Sequence, residues 1–157
     1  MIKRTPWLER IDLAWQKASV VWLSGVRRIG KTTLARQISD SEVLNCDLPS
    51  THRRLEDPER FLASFEGETV VFDEIHQLPD PSRLLKIAAD EHPQLKVLAA
   101  GSSTLAATLK FKDSLTGRKR NIHLPPVTYG ELPAFGVRNL EKRLLHGEKV
   151  PGTALQI

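Results

Sequence analysis

The chain has 157 residues, about one domain, and its 40% hydrophobic content can form a core, which argues against a wholly disordered chain. Its single cysteine, Cys46, excludes a disulfide framework and a multi-cysteine metal site and favours a reducing, cytoplasmic setting. The net charge of +4 is carried by residues 110–120, so a polyanionic partner such as nucleic acid is permitted but not required. No apolar run approaches the ~20 residues that cross a bilayer, so no membrane association is expected.

Helices and strands alternate along the predicted chain. Thr5, Asp57 and Asp80 each precede a proline, a pairing that marks a helix start, and Gly67 suits a helix end. Short β-branched, apolar runs are typical of strands buried on both faces of a parallel sheet. We expect helices over 6–18, from 31 to about 38, from 57 to 67 and from 80 onward, and strands over 19–24, 43–46, 69–72, 95–100 and 121–124. This order predicts an α/β fold with right-handed crossovers and helices on both faces of the sheet.

A glycine-rich loop lies between the first strand and the following helix. The segment GVRRIGKT over residues 25–32 matches the phosphate-loop pattern G-x-x-x-x-G-K-[ST] in the context that the mechanism requires. Its backbone N–H groups can converge on a phosphate, Lys31 can reach the outer phosphates, and the Thr32 hydroxyl can bind Mg²⁺. The residues predicted to bind ATP are Gly25, Arg28, Ile29, Gly30, Lys31, Thr32 and Thr33. The alternatives are a purely structural glycine turn and, for Arg27 and Arg28, exposure to solvent or contact with a neighbouring subunit.

Two adjacent carboxylates end the third predicted strand. Asp73 at the strand tip can hold Mg²⁺ beside Thr32, and Glu74 can orient a water molecule toward the terminal phosphate. Two surface acids at a strand end are the alternative interpretation, which the upstream phosphate loop disfavours.

Two further candidates follow the fourth strand. Ser102 lies at the same expected sheet edge and can contact the terminal phosphate or the attacking water, although a serine there can equally cap a helix. Arg118, in the basic run LTGRKR, can act as an arginine finger on a neighbour's nucleotide. A solvated basic hairpin and a nucleic-acid patch are equally consistent with that run.

Five sequence motifs follow one another along the chain in an order that is typical of a known family. GVRRIGKTTLARQI, VVFDEIHQLPD, VLAAGSS, SLTGRKR and LPPVTYGEL together resemble the AAA-like P-loop ATPases of bacteria and archaea, in which an ATPase domain precedes a C-terminal domain of unknown function. The resemblance covers about residues 3–135 and implies a five-stranded sheet of order 5-1-4-3-2. It also implies that Lys31 and Thr32 bind phosphate and Mg²⁺, Asp73 the metal and Glu74 the water, with Ser102 or Ser103 in the sensing role and Arg118 in the finger role.

The chain departs from that family at two points. His76 stands where the family commonly has glutamine, and only 25 residues follow Leu132, too few for a helical lid or a C-terminal domain. We therefore expect an ATPase domain over 1–135 and a short, truncated tail over 136–157.

The motifs together predict a Mg²⁺-dependent ATPase that converts ATP to ADP and phosphate, assisted by Arg118 of a second copy. A non-hydrolysing module whose nucleotide state controls binding to a protein or nucleic acid is the main alternative. A small-molecule kinase is disfavoured because Glu74 beside Asp73 suits water activation.

Overall fold

The computed structural model describes residues 2–102 and 115–136. Within those ranges, no helix has the length and apolar character needed to cross a membrane. Ser103, part of the basic run 110–120 and the predicted tail from 137 onward lie outside the described residues. The helices are α1 (Thr5–Trp15), α2 (Lys31–Ala35), α3 (Pro49–Arg54), α4 (Pro58–Ala63) and α5 (Pro81–Glu91), and the strands are β1 (Val20–Gly25), β2 (Ser41–Asn45), β3 (Thr69–Asp73), β4 (Lys96–Ser102) and β5 (Lys119–His123).

The five strands form one parallel sheet. Its order is β2-β3-β4-β1-β5, which is the expected 5-1-4-3-2 order viewed from the opposite edge. Gly25 at the end of β1 is in register with Ser102 at the end of β4, and Asn45 of β2 is in register with Asp73 of β3. The carboxyl ends of four strands therefore meet at one edge, where open parallel sheets bind ligands.

Helices cover both faces of the sheet, which gives the expected three layers. Alternate residues of β1 enter two different cores: Val20 and Trp22 lie in the cluster that includes the apolar faces of α4 and α5, whereas Val21 and Leu23 pack with those of α1 and α2. Every residue of β3 is buried. Burial on both faces explains why the central strands are continuously apolar instead of alternating.

Two of the three predicted helix caps are confirmed. The Asp57 carboxylate accepts a hydrogen bond from the N–H of Arg60, and the Asp80 carboxylate accepts one from the N–H of Arg83, both at 3.0 Å. Each bond satisfies one of the N–H groups that a helix start leaves without a partner, and each such cap is worth about 1 kcal/mol.

The predictions for several helix ends were wrong. Thr5 lies inside α1, whose cap is Arg4, without a side-chain cap bond. Helix α4 ends at Ala63, well before Gly67. Helix α2 ends at Ala35 because the amides of Gln37 and Ile38 bond three residues back instead of four. Helix α3 was not predicted, since it is short and carries few apolar residues.

Candidate nucleotide site

The phosphate loop joins β1 to α2 through a tight, partly left-handed backbone. Arg28 has φ of 62° and Gly30 has φ of 93°, in a left-handed backbone region that residues other than glycine rarely adopt. At Gly25, a Cβ atom would lie only 2.8 Å from the carbonyl oxygen of Leu124, so only glycine fits there. The buried Ile29 side chain packs in the same core as α1 and α2, whereas Arg28 and Thr33 are exposed.

The Lys31 side chain is hydrogen-bonded to the backbone of this loop. Its ammonium group donates to the carbonyl oxygens of Gly25 and Val26, each at 3.0 Å, and the residue is only 4% exposed. Burial lowers the pKa of Lys31, while the carboxylates of Glu74 and Asp73 act in the opposite direction. The ammonium group is therefore held at the mouth of the loop, where its charge faces the acidic strand end.

The two predicted magnesium ligands touch each other. The Thr32 hydroxyl donates to Oδ2 of Asp73 at 2.7 Å, and Asp73 is 4% exposed at the end of β3. Hydroxyl and carboxylate oxygens are donors that Mg²⁺ prefers, so this pair fits the ion. Among the described residues, no group of three or more His, Cys, Asp or Glu side chains is arranged to hold a metal. The ion would therefore take its other ligands from phosphate and water, as Mg²⁺ usually does.

Glu74 leaves the strand in a different direction from Asp73. It adopts the left-handed conformation with φ of 53° at the start of a short 3₁₀ turn, Ile75–Gln77. Its Oε2 lies 3.4 Å from Nδ1 of His76, a contact without hydrogen-bond geometry that becomes an ion pair only when the imidazole is protonated. Left-handed backbone at a non-glycine residue costs roughly 1 kcal/mol and is found often at functional sites.

Ser102 lies beside the phosphate loop. It is the last residue of β4, is 3% exposed and pairs with Gly25 of β1. The structure therefore brings Ser102 to the same sheet edge as Lys31, Thr32 and Asp73.

Arg118 does not join this group. It precedes Lys119, which pairs with Val20 at the opposite end of β1, about 16 Å along the strand from Gly25. Its Nε donates to Oδ1 of Asp90 at 2.6 Å, and this bond lowers the pKa of Asp90. Within one chain, Arg118 lies at the amino ends of the strands and the phosphate loop lies at their carboxyl ends.

Arg4 and Glu131 form a contact with the loop that sequence patterns did not predict. The Arg4 guanidinium binds both carboxylate oxygens of Glu131 and also donates to the carbonyl oxygen of Ile29 inside the phosphate loop. Glu131 lies in the string LPPVTYGEL, the only sequence signal near this pair, whereas no periodicity or motif marks Arg4.

Comparison with known proteins identifies the family of this chain. The model of the AAA domain family matches residues 17–133. An uncharacterized protein of Mycobacterium tuberculosis, Rv2008c, is 30% identical over 132 residues, which cover 82% of this chain but 30% of the relative. The chain thus spans less than a third of the length of that curated relative.

Solved structures show the same fold. The Walker-type ATPase Paby2304 of Pyrococcus abyssi superposes with a TM-score of 0.62 at 15% identity, covering 96% of this chain and 60% of that one. The Hsp104–ADP complex of S. cerevisiae gives a TM-score of 0.58 at 20% identity, covering 99% and 30%. The family match over most of the chain, together with the phosphate loop and the sheet order, shows that the chain belongs to the AAA domain family and has the fold of P-loop ATPases.

Proposed function

We propose that this chain binds ATP with Mg²⁺ at the phosphate loop and hydrolyses it to ADP and phosphate. The observation that carries the proposal is the 2.7 Å hydrogen bond between Thr32 and Asp73. It joins the end of the phosphate loop to the acidic strand end and puts two magnesium-type oxygens beside the Lys31 ammonium group. Glu74, the next carboxylate, then lies at the edge of the same site.

Each residue has a distinct role in the proposed reaction. The N–H groups of the loop and the Lys31 ammonium group bind the phosphates, and Thr32 and Asp73 hold Mg²⁺. When bound, the ion supplies positive charge to the phosphate oxygens. The Glu74 carboxylate orients the attacking water, and the Ser102 hydroxyl contacts that water or the terminal phosphate.

The position of Arg118 restricts the proposed finger role to a neighbouring copy. Because Arg118 lies at the opposite sheet edge from the loop, it can stabilise phosphate charge only across a subunit boundary. It would first have to exchange its exposed partner Asp90 for the phosphate, which costs little because surface ion pairs are weak.

The proposal separates into binding and hydrolysis, and two variants test them. Lys31→Ala should abolish Mg·ATP binding in calorimetry, since it removes the one buried positive charge of the loop. Glu74→Gln should keep the binding constant within about threefold and reduce phosphate release by at least about a hundredfold, because it removes only the water-orienting charge. Glu66→Gln, an exposed carboxylate away from the loop, is the matched control and should keep wild-type activity.

Other outcomes would redirect the assignment. Unchanged nucleotide affinity in a folded Lys31→Ala protein would refute binding at this loop. Binding without phosphate release by the wild type, at every protein concentration, would refute hydrolysis and support the nucleotide-dependent interaction module instead.

A further inference from the structure

A buried guanidinium reaches the phosphate loop from the segment that precedes α1. Arg4 is 4% exposed, and its Nε and Nη2 donate to Oε1 and Oε2 of Glu131 at 2.7 and 3.0 Å. Its third nitrogen, Nη1, donates to the carbonyl oxygen of Ile29 at 3.4 Å. One planar group therefore binds a carboxylate and a loop carbonyl at the same time, which an ammonium group cannot do with the same geometry.

Glu131 is itself fixed in place. Its Oε2 accepts hydrogen bonds from the N–H and the hydroxyl of Thr128, at 2.9 and 2.8 Å. Both members of the pair are buried, with 3% and 7% of their side chains exposed. The backbone N–H of Arg4 also donates to the Gln37 side chain beyond α2, at 3.1 Å. Arg4 thus lies where three separate parts of the chain meet.

The contact with Ile29 determines how one peptide group of the loop is oriented. The described peptide bonds are all trans, so the Ile29 carbonyl and the Gly30 N–H point in opposite directions. When Arg4 holds that carbonyl, the Gly30 N–H is directed away from Arg4. The peptide group joins Ile29 to Gly30, which has φ of 93°, and a glycine restricts the orientation of its peptide groups less than other residues do.

We propose that Arg4, held by Glu131, is a positioning residue that fixes the Ile29–Gly30 peptide group and so shapes the phosphate loop before the ligand arrives. The inference deepens the proposed function, on which it rests for the identity of the ligand. It also links the loop to the segment after β5, because a shift of Glu131 would release the Ile29 carbonyl. A loop shaped in advance binds more tightly, since less conformational freedom is lost on binding.

The first measurement needs no nucleotide. Backbone ¹⁵N order parameters of the Gly30 and Lys31 amides should be about 0.85 in the wild type, as in rigid backbone. In the double variant Arg4→Met/Glu131→Gln they should fall below about 0.6. The double change avoids leaving the Glu131 carboxylate buried without its partner, and the glutamine still accepts from Thr128. Arg4→Lys, which keeps the charge but not the planar fork, is the second variant and should have the same effect.

Arg10→Met is the matched control. The Arg10 guanidinium lies 4.6 Å from the centroid of the Trp7 ring, as Arg4 lies 5.7 Å from it, but no contact joins Arg10 to the loop in the described residues. Its order parameters should equal those of the wild type. Order parameters for Gly30 that are the same in all variants would overturn the proposal.

The second measurement is the dissociation constant for Mg·ADP. In both Arg4 variants it should rise at least tenfold over the wild type and over Arg10→Met, measured at a temperature at which every one of these proteins is fully folded. A change of less than twofold would overturn the proposal even if the loop amides move. If the wild type binds no nucleotide but the Gly30 order parameter is still lower in the Arg4 variants than in the wild type, then the proposed function fails and the positioning role stands.

Discussion

The buried pair between Arg4 and Glu131 makes stability depend on acid pH in a defined way. Burial raises the pKa of Glu131, but the hydrogen bonds from Arg4 and Thr128 outweigh it and lower that pKa to about 2, from an ordinary value of 4.5. A carboxylate with a lowered folded-state pKa stabilises the fold when ionised. Its contribution is complete above pH 4.5 and is lost as the pH falls toward 2.

The size of this contribution follows from the two pKa values. The difference between 4.5 and about 2 corresponds to about 3.5 kcal/mol, at ~1.4 kcal/mol for each pH unit. Because the glutamine of the Glu131→Gln variant still accepts hydrogen bonds from Thr128, we expect about 2 kcal/mol of this contribution to be lost. Glu131→Gln should therefore lower the free energy of unfolding by about 2 kcal/mol at pH 7, and by less than about 1 kcal/mol at pH 3, where the wild type has lost most of the contribution.

Urea denaturation of both proteins at pH 7, 5 and 3 measures this difference directly. Glu42→Gln is the matched control, because the Glu42–Arg54 pair is as short, at 2.6 Å, but has 42% and 49% of its side chains exposed. That variant should differ from the wild type by less than about 0.5 kcal/mol at every pH. A wild-type advantage over Glu131→Gln that is the same at pH 7 and pH 3 would refute the reasoning, since the charge would then contribute nothing.

Three other predictions test separate parts of the molecule. Gly101→Ala should lower the free energy of unfolding by about 1–3 kcal/mol in urea denaturation, because its Cβ would lie 2.7 Å from the Trp22 ring, whereas Gly130→Ala, with nothing within 4 Å, should be neutral. Cys46 should resist alkylation in the native protein at pH 8, since burial raises its pKa to about 12; native-state labelling at the unfolded rate would contradict this. Arg118→Ala should reduce ATP turnover only where the specific activity of the wild type rises with protein concentration, and equal turnover of the two proteins at all concentrations would exclude a role across subunits.

Local sequence signals predicted the parts of the site that depend on a few neighbouring residues. The phosphate loop needs two glycines, a lysine and a threonine between a strand and a helix, and all of these lie within eight positions of the chain. The Asp57 and Asp80 caps likewise act over three residues. Burial on both faces made the central strands continuously apolar, so the strand that ends at Asp73 was also visible.

Only the tertiary structure decided which distant residues meet. Arg4 and Glu131 are 127 positions apart, and their contact exists because β1 pairs with β5 and brings the segment after β5 back to the start of α1. Arg118 is separated from the loop for the same reason. Because β5 runs parallel to β1, it begins beside the start of β1, whereas the loop follows the end of β1. Such contacts depend on how the whole sheet is assembled, and no spacing within a helix or a strand records them.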